Sequence, residues 1–135
     1  MAEEKHYDLV IVGGGPGGLT AGLYGARARR KTVVIEKGLL GGQIANTAEV
    51  EDYPGFELIS GAELSMKMAD HAKKFGLEIA TDDVEEVYCD GDDRVAKCSS
   101  GDIYRAKAII LSTGGSPVYL GVPGEEEYTG KGVSY

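Results

Sequence analysis

The chain has 135 residues, 42% of them hydrophobic and 27% charged, which suits one domain or part of one. With 22 acidic against 14 basic residues the formal charge is −8, which argues against nucleic acid or an anionic membrane as a partner. Glycine is the outlier at 21 residues, about twice its usual share of roughly 7%, and it gathers at the ends of apolar runs without a collagen-like period.

The first apolar run, Tyr7 to Val12, follows the acidic opening Met1-Ala2-Glu3-Glu4-Lys5. Glycine and proline interrupt it before it could span a bilayer, so neither an export leader nor a membrane span is expected, and the cytoplasm is the expected compartment. The run ends in Gly13-Gly14-Gly15-Pro16-Gly17-Gly18, and helix-compatible residues from Leu19 to Arg29 follow at once. Gly13, Gly15 and Gly18 fit G-x-G-x-x-G in the strand–turn–helix setting that a dinucleotide site requires. In that reading Gly13 makes the tight turn, Gly15 lets the backbone approach a pyrophosphate, and Gly18 lets helix pack close to sheet. The phosphates would lie on the helix N-terminus, where Pro16 fits because its missing N–H has no intrahelical partner to lose. The alternative is an ordinary turn between a buried strand and a helix. The basic cluster Arg27 to Lys31 falls at the predicted helix end, where it complements the dipole rather than forming a binding patch.

Thr32 to Ile35 is the second strand, completing a βαβ unit with parallel strands and a right-handed crossover. Glu36 ends it, 18 positions beyond Gly18, where an acidic residue accepts hydrogen bonds from an adenosine ribose. A carboxylate there also repels a 2′-phosphate, so FAD or NAD is expected over NADP. A solvated strand-end charge is the alternative for Glu36. Gly38 to Ile59 has no clear period; a segment of that length is usually functional or disordered, and its several apolar residues with few charges in the first half predict an ordered, ligand-facing one.

Ser60-Gly61-Ala62-Glu63 reads as a capping box, with Leu64, Met68, Ala72 and Phe75 at helical spacing and Gly76 as the stop. The methionines read as core packing. His6 and His71 have no partner of catalytic type nearby in sequence. Leu77 to Thr81 is the third strand. Val84–Tyr88, Arg94–Ser99 and Ile103–Ala106, separated by hairpin turn residues, predict a three-stranded antiparallel meander. Ala108 to Leu111 reads as a fully buried parallel strand ending in a second small-residue turn, Ser112-Thr113-Gly114-Gly115. Cys89 and Cys98 match no metal spacing and are expected as two reduced thiols; no metal site is expected. The tail from Ser116 to Tyr135 shows no strong signal, and Glu125-Glu126-Glu127 reads as a solvated face.

This order of elements resembles the FAD domain of the two-dinucleotide-binding flavoproteins, and within them the low-molecular-weight thioredoxin reductases. The matching residues are Gly13 to Gly18, Gly41-Gly42-Gln43-Ile44, Val50-Glu51-Asp52-Tyr53-Pro54-Gly55, Leu111-Ser112-Thr113-Gly114, Leu120-Gly121-Val122-Pro123-Gly124-Glu125-Glu126 and Gly130-Lys131-Gly132-Val133-Ser134. The resemblance implies an α/β, Rossmann-like three-layer FAD-binding fold, with a parallel sheet and an antiparallel three-stranded β-meander. Residues 1–115 would be the N-terminal segment of the FAD-binding domain and 116–135 an extended crossing. It further implies that Gly13, Gly14, Gly15, Pro16, Gly17 and Gly18 hold the FAD pyrophosphate and that Glu36, with Lys37 beside it, meets the adenosine ribose. Gly42 and Gln43 would lie along the flavin side, Val84 near the adenine, and Thr113 and Gly114 over the cofactor. Asp52 falls where the family usually has asparagine, which leaves its flavin contact open. In the family NADPH reduces FAD, FAD reduces a Cys-x-x-Cys disulfide, and the dithiol reduces thioredoxin, commonly within a homodimer. The redox pair would follow Tyr135 directly, so the expectation is an N-terminal FAD-binding portion that is inactive alone. A stand-alone FAD- or NAD-binding module, or another FAD oxidoreductase of the superfamily, remains the alternative.

Overall fold

Along β1 (Glu4–Val12) of the computed structural model, which describes residues 2–135, side chains alternate between two cores. Val10 and Val12 join Val33 and Ile35 of β2 (Thr32–Glu36) in one cluster, while Ile11 and Val34 join the other. That alternation is the period-two signature of a strand covered on both faces. The second cluster is completed by Leu19 and Ala26 of α1 (Pro16–Arg27) and by Ala69 and Ala72 of α2 (Gly61–Lys74). Ala96 and Cys98 of β5 (Asp93–Cys98), with Tyr104 and Ala106 of β6 (Ile103–Leu111), complete the first.

β3 (Glu78–Thr81) and β4 (Val84–Asp90) are the remaining strands, and the six run in the order β3-β2-β1-β6-β5-β4. β3, β2, β1 and β6 are mutually parallel, and β4, β5 and the first half of β6 pair antiparallel. β3 and β4 are thus the two edges of the sheet, yet only Asp82 and Asp83 separate them in sequence. The sheet therefore curls enough to bring the C-terminal end of β3 to the N-terminal end of β4. Helices, parallel sheet and meander form the three layers expected from the resemblance. Asp82 fastens the closure: its carboxylate accepts from the Ser99 hydroxyl (3.2 Å), the Ser100 hydroxyl (2.5 Å) and the Ser100 N–H (3.4 Å) on the β5–β6 turn.

Three expectations are corrected here. The third meander strand and the buried parallel strand are one continuous β6, because the pairing with β1 resumes in the same register beyond Lys107, from Tyr7–Ala106 to Leu9–Ala108. Its second half is not fully buried: β5 follows β6 only through Ala106, and Leu111 is 65% exposed. The acidic run of the tail is not a wholly solvated face. α3 (Glu125–Tyr128) forms there, and Glu125 is buried, accepting from the N–H groups of Leu120 (2.8 Å) and Gly121 (2.6 Å) and from the Tyr135 hydroxyl. Only Glu126 and Glu127 of that acidic run are solvated.

α2 begins as expected, with the Ser60 hydroxyl accepting from the Glu63 N–H at 3.2 Å. The Glu63 side chain pairs with Lys67 at 3.4 Å, so half of the capping box is replaced by an i,i+4 ion pair. Met68 packs partly into the helix-side core, whereas Met66 and Phe75 are exposed.

Candidate cofactor site

The Gly-rich turn leaves β1 at the C-terminal edge of the parallel strands, where ligands bind in open α/β sheets. Gly13 donates its N–H to the Ile35 carbonyl at 2.8 Å and has φ +103°, a left-handed conformation. A Cβ on Gly13 would lie 2.2 Å from the Ser112 carbonyl oxygen, and one on Gly18 would lie 1.8 Å from the Gly13 oxygen. The chain's own packing therefore demands glycine at both positions. Gly15 is different. Its backbone is extended at φ −70°, ψ −177°, and the nearest atom to an added Cβ is the Gly42 Cα at 4.0 Å. The protein itself has room for a side chain at Gly15, and the space left open belongs to the groove.

α1 begins at this point with Pro16 in its first turn, and no side chain among the described residues caps it. Its first internal bond is from the Leu19 N–H to the Gly15 carbonyl at 2.9 Å. The N–H groups of Gly17 and Gly18 are left at the positive end of the dipole, an arrangement suited to a phosphate.

Glu36 holds the turn from the side. One carboxylate oxygen accepts the Gly14 N–H at 2.6 Å and the other the Gly38 N–H at 2.8 Å. The groove runs past it in two connected depressions that share Glu36 and Thr113. The smaller, about 180 Å³, is lined by Gly13, Ile35, Glu36, Lys37, Asp82, Asp83 and Val84. The larger, about 520 Å³, lies over Gly15, Pro16 and Gly17 and is walled by Leu39, Gly42, Gln43, Ile44, Asn46 and the Ser112–Gly115 turn. Gln43 reaches the Gly115 carbonyl at 3.5 Å, so the two walls nearly meet. In the smaller depression the Ser100 hydroxyl holds the Asp82 carboxyl below the usual carboxylate range, and Lys37 pairs with Asp83 at 3.7 Å.

The structure thus brings Gly13, Gly15, Pro16, Gly17, Glu36, Lys37, Gly42, Gln43, Val84, Thr113 and Gly114 to one groove. Gly14 and Gly18 are not among the lining residues: the Gly14 N–H is taken by Glu36, and Gly18 packs against the Gly13 carbonyl with only its N–H left at the start of α1. Asp52 lies apart, on a loop closed by the Val50–Ile59 bridge that lines its own shallow depression. Asp82 and Asp83 were not picked out by the sequence reading, although their place just past the C-terminal end of β3 is the kind of position that could have marked them. Leu39 and Asn46 carry no such signal.

Both cysteines are free. Cys89 is exposed on β4, and burial pushes the Cys98 thiol up to about 12. Among the described residues no helix is long and apolar enough to cross a membrane.

Comparison with known proteins agrees with this geometry. Bacillus subtilis thioredoxin reductase is 52% identical over 135 residues, which is all of this chain and 42% of that protein. Listeria monocytogenes thioredoxin reductase is 51% identical over 134 residues, 99% of this chain and 42% of that one. The crystal structure of Lactococcus lactis thioredoxin reductase matches with a TM-score of 0.83 at 47% identity, covering 90% of this chain and 40% of that chain. The chain spans 42% of the length of these curated relatives. The model of the pyridine nucleotide-disulphide oxidoreductase family matches residues 7–135, and the chain belongs to that family.

Proposed function

We propose that the groove holds FAD, as the cofactor-binding portion of a thioredoxin-reductase-type flavoprotein that passes electrons from NADPH through the flavin to a disulfide. A thioredoxin-like protein is the substrate in this reading, and the whole enzyme is a cytoplasmic homodimer. The observation that carries the cofactor assignment is Gly15: the fold leaves room for a Cβ there, and a pyrophosphate on the α1 N-terminus would fill it. The relatives supply the choice of reaction.

When bound, FAD accepts a hydride and releases its electrons to a disulfide; the chain's residues bind and orient it. Gly15, Gly17 and Gly18 offer backbone N–H groups to the pyrophosphate. Glu36 accepts from the ribose hydroxyls with lone pairs left after its two backbone contacts, and its charge turns away a 2′-phosphate. Val84 faces the adenine, Gly42 and Gln43 flank the flavin half, and Thr113 and Gly114 close the turn between the depressions. Asp52 enters the reading through the resemblance alone. Residues 1–115 act as the cofactor segment and 116–135 as the connection beyond it. The cysteines in this stretch do not form the redox pair, since Cys98 is buried in the meander core, so residues 1–135 do not reduce a disulfide by themselves.

Gly15→Val tests the site. A valine Cβ meets no protein atom closer than 4.0 Å, so the unfolding free energy should hold within about 1 kcal/mol, in the range of N-cap changes. FAD affinity, read by flavin fluorescence, should fall at least about tenfold, because the backbone can no longer approach the phosphates. Unchanged affinity in the folded variant sinks the assignment.

A further inference from the structure

The smaller depression carries more charge than the ribose-facing Glu36 explains. Glu36, Asp82 and Asp83 put three carboxylates on it, and Lys37 is the one cation among the described residues that line it. Two of the acids are already committed: Glu36 to the Gly14 and Gly38 N–H groups, and Asp82 to Ser99 and Ser100. Asp83 is free to answer Lys37, which it does at 3.7 Å across the mouth, from the β3–β4 connection to the end of β2. Lys37 directly follows the residue that meets the ribose. A cation near that acid is the feature by which dinucleotide sites accept a 2′-phosphate.

We propose that Asp83 is a specificity-determining residue: by neutralising Lys37 it keeps the adenosine pocket closed to a nucleotide carrying a 2′-phosphate. The proposal rests on the cofactor reading above, since it presumes that the adenosine half lies in this depression. Glu36 alone does not secure the exclusion, because a free Lys37 beside it would offer the phosphate a partner. Both members of the pair are more than half exposed. Its influence is therefore modest and screened by salt, with a Debye length of about 8 Å at physiological ionic strength.

The test is competition with FAD for the apoprotein of the natural protein containing this chain, followed by flavin fluorescence at low salt. The competitors are ADP and adenosine 2′,5′-bisphosphate. Scoring displacement of FAD confines the readout to this site, whatever other nucleotide sites the protein holds. The preference for ADP should fall about threefold to fivefold in Asp83→Asn, within what an exposed ion pair supports, and further in Asp83→Lys. Lys37→Ala/Asp83→Asn should restore the preference, since the released cation is gone; a general loss of negative charge would leave it lowered. An unchanged preference in both single variants, or no restoration in the double variant, overturns the role of Asp83 while leaving the FAD site standing. Failure of ADP to displace FAD from the unsubstituted protein removes the cofactor reading, and this proposal with it.

Discussion

β1 and the second half of β6 lie side by side, paired from Leu9–Ala108 to Val12–Leu111, and their sequences are equally apolar. Their surroundings are opposite. Ile11 is fully buried, with helices over one face of β1, the meander over the other and a strand along each edge. Leu111, in register with Val12, is 65% exposed, and β5 leaves the outer edge of β6 after Ala106. An apolar run thus specifies an extended, ladder-paired segment, but burial is conferred by what the rest of the fold lays against it. The Gly-rich turn is anchored on the covered strand and Ser112-Thr113-Gly114 on the uncovered one, so the groove has a rigid wall and a less supported one.

The largest break in that contrast should come from Gly18→Ala on the covered side. Its Cβ would meet the Gly13 carbonyl oxygen at 1.8 Å, a contact that only backbone displacement relieves. The expected loss is about 3 kcal/mol or more in urea unfolding, in the range of severe overpacking. Since Gly15→Val is expected to spare the fold and lose the cofactor, the two variants separate glycines required by packing from glycines required by a ligand. Equal stability of Gly18→Ala and the unsubstituted protein would show that the turn relaxes freely.

Truncation of the paired strands makes the comparison directly. Ile11→Ala should cost about 2–4 kcal/mol, the usual range for a fully buried aliphatic side chain. Leu111→Ala should cost less than about 1 kcal/mol, as for a surface position. A cost at Leu111 approaching that at Ile11 would mean that this face is covered in the protein in solution, and the contrast would then describe residues 1–135 rather than the working molecule.

Much of the covered side was legible because its signals are local and agree with one another. The β-branched run into Gly13, the helix after it and Glu36 at the end of β2 each specify the same βαβ unit. Ser60 marks the start of α2 within its own turn. The turn residues at Gly91 and Gly101 likewise mark the meander by themselves. What was not legible depends on contacts distant in sequence. Fusion of the third meander strand with the parallel one depends on β1 pairing along the whole of β6. The exposure of Leu111 depends on where β5 parts company. In the groove, the Gly turn and Glu36 were readable from spacing and the end of β3 could have marked Asp82 and Asp83, whereas their partners, Ser99 and Ser100 for Asp82 and Lys37 for Asp83, are set only by the fold.

The tail shows the same dependence on a smaller scale. Glu125 belongs to an acidic run that reads as solvated, yet its carboxylate gathers the Leu120 and Gly121 N–H groups and the Tyr135 hydroxyl. That hydroxyl is the main cause holding the Glu125 carboxyl below its usual range, and the same contact pushes Tyr135 up to about 12. A depressed folded-state pKa means that the contribution is fully present above the ordinary carboxyl value of about 4.3. It is lost as pH falls through the lower folded value. The amide protons of Leu120 and Gly121 should therefore stay protected from exchange from neutral pH down to about 4.3, the ordinary carboxyl value, and lose protection as pH falls further. The Ile11 amide, held in the β1 ladder with no carboxylate in its bond, should keep its protection further into acid. Glu125→Gln should expose the two tail amides at neutral pH and leave Ile11 unaffected, because the amide side chain forfeits the charge-assisted part of both bonds. If protection of the tail and of Ile11 falls together in acid, and the glutamine variant protects all three amides, then Glu125 is not what closes the tail. The tail would then share in the cooperative unit of the covered core.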